Sequence, residues 1–249
     1  MMEVAKSLRF GSCYNLRSIV SSMRFLTNGK RCVGAQGRKD EGIEYSSSSQ
    51  KTDVTRYTGP LEHELNHKQR EIRDDILRTR TTGLAGPFGV WLSVPGIASP
   101  AQELGRACRY ETSLSFRESE LIILLTGARF NSHTEFEIHR KEAERAGLPD
   151  ELINAVYSYR GDNFNLKDVK EKVTSLLSVS RERAIAHFAI ELLCTSTVSE
   201  STYSEVRKDL RGDDVVLVEI TSIVGYYTFV AFTLNAFNVP IPSGDDEKN

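Results

Sequence analysis

The chain has 249 residues, of which 39% are hydrophobic and 27% charged, and its formal net charge is −2 at pH 7. This composition supports a folded core and excludes a chain that is disordered throughout. A near-neutral charge gives no electrostatic basis for nucleic-acid binding, so no nucleic-acid partner is expected. The four cysteines are far apart and form no Cys-x-x-Cys, which argues against a zinc site, a dithiol redox motif and a disulfide scaffold.

The N-terminal segment 1–56 differs in composition from the rest of the chain. Up to Lys39 it contains many basic residues and serines, and Glu3 is its only acid. Such a segment is typical of an organellar transit peptide and indicates a mitochondrial location. The alternative is a disordered basic tail that carries no targeting signal, in a cytoplasmic protein. A single domain is expected over 57–242, followed by an acidic polar tail at 243–249.

Helical spacing of apolar residues dominates the domain. The segment 82–100, rich in glycine and proline, is expected to be a structured loop. His63 and His67 could share a helix face, but no third metal ligand is evident, so no metal site is expected. The predicted helices cover 61–80, 100–110, 117–128, 133–147, 150–159, 180–195, 199–210 and 215–237.

The last predicted helix, 215–237, is long and apolar enough to suggest a membrane span. It contains Glu219 and several hydroxyl residues, and a lone charge inside a membrane is costly. A helix buried in the core or in a subunit interface is therefore the favoured interpretation, with no membrane partner.

A faint internal repeat appears when the chain is shifted by 64 residues. Arg117-Glu118 then falls on Arg181-Glu182, and Asp150 falls on Asp214. Both stretches have the order helix, break, shorter helix, turn, helix, which predicts two packed copies of one helical unit. Chance alignment of helical patterns is the alternative.

One polar cluster could support chemistry, and it lies in the first copy. Glu135 and His139 are four residues apart, so one helix face presents both side chains. Glu120 lies on the preceding apolar helix, where a buried carboxylate needs a partner. A helical hairpin would bring the three together as a proton relay, Glu120–His139–Glu135.

Each member of this cluster also has an ordinary structural interpretation. Glu135 stands three residues after Ser132 and could only close a capping box. His139 could form a surface ion pair, and Glu120 could pair with Arg117.

The stretches 109–124, 128–139 and 143–149 resemble the carboxymuconolactone decarboxylase family, within the alkylhydroperoxidase D-like superfamily. The segments 83–92, 224–228 and 234–240 extend this resemblance over about 57–242. The resemblance implies an all-α fold with two repeated helical units. It also implies a homo-oligomer, commonly a trimer or a hexamer of trimers.

The peroxidase branch of that superfamily uses Cys-x-x-Cys-x-x-x-His, with a glutamate twelve residues before the first cysteine. The matching positions here are Ser132, Glu135, His139 and Glu120. Both cysteines are absent, and because thiolate chemistry needs sulfur, peroxidase activity is not expected.

The decarboxylase branch has no dithiol, and Thr134-Glu-Phe-Glu-Ile-His139 is a variant of its motif. The resemblance thus implies a carboxy-lyase acting on a carboxylated lactone or a similar oxo-acid without a cofactor. We expect His139, Glu135 and Glu120 as catalytic residues. His133, Arg109 and Arg129 are expected to bind the substrate. The alternatives are an isomerase, a dehydratase, a hydrolase or a helical oligomer without catalysis.

Overall fold

A computed structural model describes residues 55–80 and 83–242. The acidic tail and nearly all of the basic leader lie outside these residues, so the transit peptide predicted for the leader stays a prediction. The described residues form α-helices and two short 3-10 helices, at Glu62–Glu64 and Gly161–Asn163, with no strand. The α-helices are α1 (His67–Thr79), α2 (Phe88–Leu92), α3 (Pro95–Tyr110), α4 (Phe116–Arg129), α5 (His133–Arg145), α6 (Asp150–Ser158), α7 (Leu166–Leu176), α8 (Ser180–Thr195), α9 (Glu200–Asp209) and α10 (Asp214–Phe237).

Helix α4 is the centre of the fold. Every residue from Glu118 to Ala128 is buried, and the helix packs against α5, α8 and α10. A helix that is apolar all round is stable only when neighbours cover all of its faces. A polar side chain on α4, such as Glu120, must therefore find its partners inside the protein.

The two repeated units are visible as α4–α5–α6 and α8–α9–α10. Their first helices begin at Phe116 and Ser180, 64 residues apart, and α4 packs along α8. The equivalent arginine–glutamate pairs exchange partners across this contact. Arg117 Nε lies 2.6 Å from Glu182 Oε1, and Arg181 Nε lies 2.8 Å from Glu118 Oε1. This reciprocal pairing relates the two units by an approximate two-fold axis.

The far ends of α4 and α8 also meet. Arg129 Nε donates a hydrogen bond of 3.1 Å to the carbonyl of Leu193, which is its equivalent in the second unit. Since both starts meet and both ends meet, the two helices run side by side in the same direction.

The predicted starts of two helices were wrong, and one helix was not predicted. Helix α3 begins at Pro95 rather than near Pro100, because a proline is tolerated in the first turn of a helix, where its missing N–H has no partner to lose. Helix α1 begins after Asn66, whose side chain accepts a hydrogen bond from the amide of Gln69. Helix α7 lies where no element was predicted, with Val169 and Val173 buried at helical spacing.

Helix α10 has one face in the core and one face exposed. By length and composition alone it could cross a membrane, and half of its most apolar window is buried inside the protein. Trp91 from α2 stacks on Phe229 with ring centroids 4.7 Å apart, and Ile220 and Ile223 are fully buried. A helix in the core of a soluble protein has these same features.

Candidate active site

Three helices bring the polar cluster together. Helix α4 supplies Glu120, α5 supplies Glu135 and His139, and α3 supplies Arg109. Glu120 is fully buried, and Glu135 and His139 are 2% and 5% exposed. The hairpin of α4 and α5 therefore unites the three residues predicted to form the relay.

Glu135 does not close a capping box. Ser132 precedes α5 as the N-cap, but its side chain makes no capping hydrogen bond and its Oγ is buried without a partner. The Glu135 side chain turns instead toward His139, with Oε1 3.4 Å from Nε2. Since the cap does not use this carboxyl group, it is available to the cluster.

Glu120 fixes the orientation of the imidazole. Its Oε2 lies 2.7 Å from His139 Nδ1, close enough for a short, charge-assisted hydrogen bond. When Nδ1–H donates to Glu120, Nε2 of the neutral ring keeps its lone pair and faces Glu135. His139 is therefore not in a surface ion pair, and Arg117 pairs with Glu182 rather than with Glu120.

Glu135 titrates near neutral pH. Burial raises the pKa of this carboxyl from 4.5 to about 7, although electrostatic interactions with His139 and Arg109 act in the opposite direction. A carboxyl group with a pKa close to ambient pH can both donate and accept a proton. Such shifts are common at catalytic sites.

Arg109 is surrounded by carboxylates. Its Nη2 lies 3.4 Å from Glu120 Oε1 and 3.2 Å from Glu142 Oε2, and its Nη1 lies 3.4 Å from His139 Nδ1. Its charge is therefore matched within the protein. The same guanidinium lies beside the cavity that Glu135 lines.

A cavity of about 50 Å³ adjoins the cluster. Burial raises the pKa of Tyr226 and of Tyr227 in its lining, so their phenols stay protonated and can donate hydrogen bonds. The segment 85–88 forms part of the cavity wall. Its polar lining consists of Glu135, His139, Arg109, Arg80, Tyr110, Tyr226 and Tyr227.

The structure does not bring the other two predicted substrate-binding residues to this cavity. His133 is exposed at the start of α5, where its Nδ1 lies 3.3 Å from the hydroxyl of Tyr157. Arg129 ends α4 and borders a separate, open depression beside Arg160. His133 lies away from the cavity because residues two apart, such as 133 and 135, point to different sides of one helix.

Sequence reasoning missed Arg80, Tyr226 and Tyr227 as cavity residues. The two tyrosines lie within a segment that contributed to the family resemblance, but nothing in their spacing indicated a polar role. Arg80 directly follows α1, and no local pattern links it to α5.

The described cysteines lie outside the cavity lining. Burial raises the pKa of Cys108 and of Cys194, so neither favours the thiolate form. Cys13 and Cys32 fall outside the described residues. Within 55–80 and 83–242, no three histidine, cysteine, aspartate or glutamate side chains are grouped as a metal site.

No family model and no curated protein sequence matches the chain. Among solved structures it is similar to a cysteine-to-alanine variant of the debrominase Bmp8 in complex with 2,3,4-tribromopyrrole. The identity is 12%, the TM-score is 0.56, and the match covers 75% of this chain and 91% of the debrominase chain. At this identity the likeness concerns the fold alone, and it confirms the all-α, alkylhydroperoxidase D-like fold.

Proposed function

We propose that the protein is a cofactor-independent acid/base enzyme that moves a proton to or from a carbon atom of a small carboxylated substrate. The observation that supports this most directly is Glu135. Glu135 lies in the cavity wall, its pKa is about 7, and the imidazole of His139 lies next to it. A general acid that works near neutral pH needs these properties.

Each member of the relay has a separate task. Glu135 gives its proton to the substrate carbon, and His139, after taking up a solvent proton at Nε2, returns a proton to Glu135. Glu120 holds His139 through Nδ1, so that Nε2 stays directed at Glu135. Arg109 and the phenol of Tyr227 stabilise the negative oxygen that forms on the substrate.

Decarboxylation is the reaction implied by the family resemblance. The bond between the carboxylate and its neighbouring carbon breaks, carbon dioxide leaves, and the electron pair moves to the adjacent carbonyl as an enolate. Proton transfer from Glu135 to the carbon then completes the reaction. The substrate supplies its own electron sink, so the steps need no further reactant.

The cavity volume favours a substrate smaller than a carboxylated lactone. A water molecule needs about 10–15 Å³ of such a volume, so 50 Å³ holds only a few non-hydrogen atoms. A carboxylated lactone would require the segment 85–88 in the cavity wall to move. A small oxo-acid fits without that change, and proton transfer within it, as in an isomerase or dehydratase, is the second candidate.

The test is turnover by the full-length chain. Release of carbon dioxide from 4-carboxymuconolactone and from small 3-oxo acids is measured, together with proton exchange at carbon. We expect Glu135→Gln and His139→Ala to lower the rate by about 10²–10⁴-fold, the usual contribution of a general acid or base. Glu137→Gln, on the same helix but outside the cavity lining, should leave it unchanged.

Equal turnover by Glu135→Gln and the unaltered protein would contradict the proposal. No turnover or exchange by a folded protein with any of these acids would favour the rival, a helical oligomer without catalysis.

A further inference from the structure

Arg80 is a buried cation without a carboxylate partner among the described residues. It is 9% exposed, its Nη2 donates to the carbonyl of Gln102, and its Nε has no hydrogen-bond partner. No described aspartate or glutamate forms an ion pair with it. Arg109, in the same cavity wall, differs because Glu120 and Glu142 match its charge.

Two aromatic rings hold the Arg80 guanidinium in place. Its central carbon lies 5.4 Å from the ring centroid of Phe88 and 5.7 Å from that of Tyr110. Such contacts engage the flat face of a guanidinium and leave its N–H edge available. The edge is the part that binds a carboxylate with two parallel hydrogen bonds.

The contacts of Arg80 within the described part of the protein leave its charge without a counter-charge. A buried charge without a counter-charge is costly, and the aromatic rings and one carbonyl offset only part of that cost. Arg80 lines the cavity together with Glu135, which is uncharged when protonated. The cavity therefore offers one unmatched positive charge to whatever enters it.

We infer that Arg80 is the binding residue for the carboxylate of a small organic acid, and that this carboxylate is retained in the reaction. That the acid is a substrate rests on the proposed function. An ion pair with a departing carboxylate would stabilise the ground state more than the transition state, which slows decarboxylation. For an acid with a single carboxylate, Arg80 thus favours proton transfer at carbon over loss of carbon dioxide.

Equilibrium binding to the full-length chain tests this inference. Propionate and acetate are titrated by calorimetry at constant ionic strength, with chloride as the competing anion. We expect both acids to bind and Arg80→Met to raise their Kd at least tenfold, with Arg80→Lys in between. Arg78→Met removes an exposed arginine on α1 and should leave the Kd unchanged.

Unchanged propionate binding by folded Arg80→Met would overturn the inference. So would a lack of binding by the unaltered protein, or chloride binding as tight as propionate binding. Glu135→Gln separates this result from the proposed function. This variant should keep propionate binding while losing turnover. Loss of binding therefore tests Arg80, and loss of turnover with binding kept tests Glu135.

Discussion

The protonation of Glu135 links the site to stability. Its pKa is about 7 in the folded protein and 4.5 in the unfolded chain, so the folded state binds the proton more tightly. The carboxyl therefore favours folding most below pH 4.5, and this contribution is lost as the pH rises toward 7. The loss is on the order of 3 kcal/mol in the free energy of unfolding.

Urea unfolding from pH 4.5 to 8 measures this effect. Other carboxyl groups titrate in the same range, so the informative quantity is the difference between the unaltered protein and Glu135→Gln. Glutamine imitates the protonated acid, so the variant should gain relative stability as the pH rises. A difference that does not change with pH would mean that Glu135 titrates normally.

At the residue scale, local spacing predicted part of the site. Glu135 and His139 follow the four-residue rule for one helix face, and the need to pair a buried acid led to Glu120. Arg80 and Tyr226 could not be found this way, because α1 and α10 meet at the cavity only through tertiary packing. The grouping of His133 and Arg129 with the site came from residue type rather than geometry.

At the element scale, two serines provide a matched test of helix capping. Ser115 begins α4 and accepts a hydrogen bond from the amide of Glu118, whereas Ser132 begins α5 without a capping bond. We expect Ser115→Ala to lower the free energy of unfolding by about 1 kcal/mol. Ser132→Ala should change it little, because it also removes a buried hydroxyl that lacks a partner.

Thermal or urea unfolding of the two variants measures these two changes in stability. If Ser132→Ala were as destabilising as Ser115→Ala, Ser132 would be a working cap, and Glu135 would be engaged there rather than at His139.

The reciprocal ion pairs predict coupling between α4 and α8. A double-mutant cycle with Arg117→Met and Glu182→Gln should give an interaction energy of about 1 kcal/mol, because the glutamate is buried and the arginine partly so. The exposed pair Arg207–Asp214 is the control, for which no measurable coupling is expected. Independent effects at residues 117 and 182 would argue against the two-fold arrangement.

Element boundaries were harder to predict than element type. Clustered prolines and glycines indicated a loop up to Pro100, but a proline at the first helical position starts α3 five residues earlier. Helix α7 has few apolar residues between charged ones, so its pattern was weak, although Val169 and Val173 have the spacing of a buried face.

At the scale of the whole molecule, the two-unit all-α fold was predictable because repetition and helical spacing act over long stretches. The two-fold relation itself required coordinates, since it depends on how α4 meets α8. The transit peptide and the mitochondrial location stay predictions, because the leader lies almost entirely outside the described residues.

Self-association also stays a prediction, and we propose that the protein forms the homotrimer or hexamer implied by the family resemblance. One face of α10 exposes Val215, Val218, Phe229 and Phe232, at 60%, 65%, 41% and 54% of their surface. Apolar rows of this kind are frequent at contacts between subunits.

Light scattering on the full-length chain should therefore give a mass of three or six copies. Val218→Glu should lower that mass. Val179→Glu makes the same substitution at an exposed position just before α8 and should leave the mass unchanged. A monomer at all concentrations would contradict the proposal.

The proposed chemistry depends on Glu135 being an acid that titrates near neutral pH beside His139. Its most direct test is the side-chain carboxyl ¹³C resonance of Glu135, followed by nuclear magnetic resonance from pH 4 to 9 and assigned by its loss in Glu135→Gln. A titration midpoint near 7 is expected. A midpoint near 4.5, the ordinary value for glutamate, would contradict it.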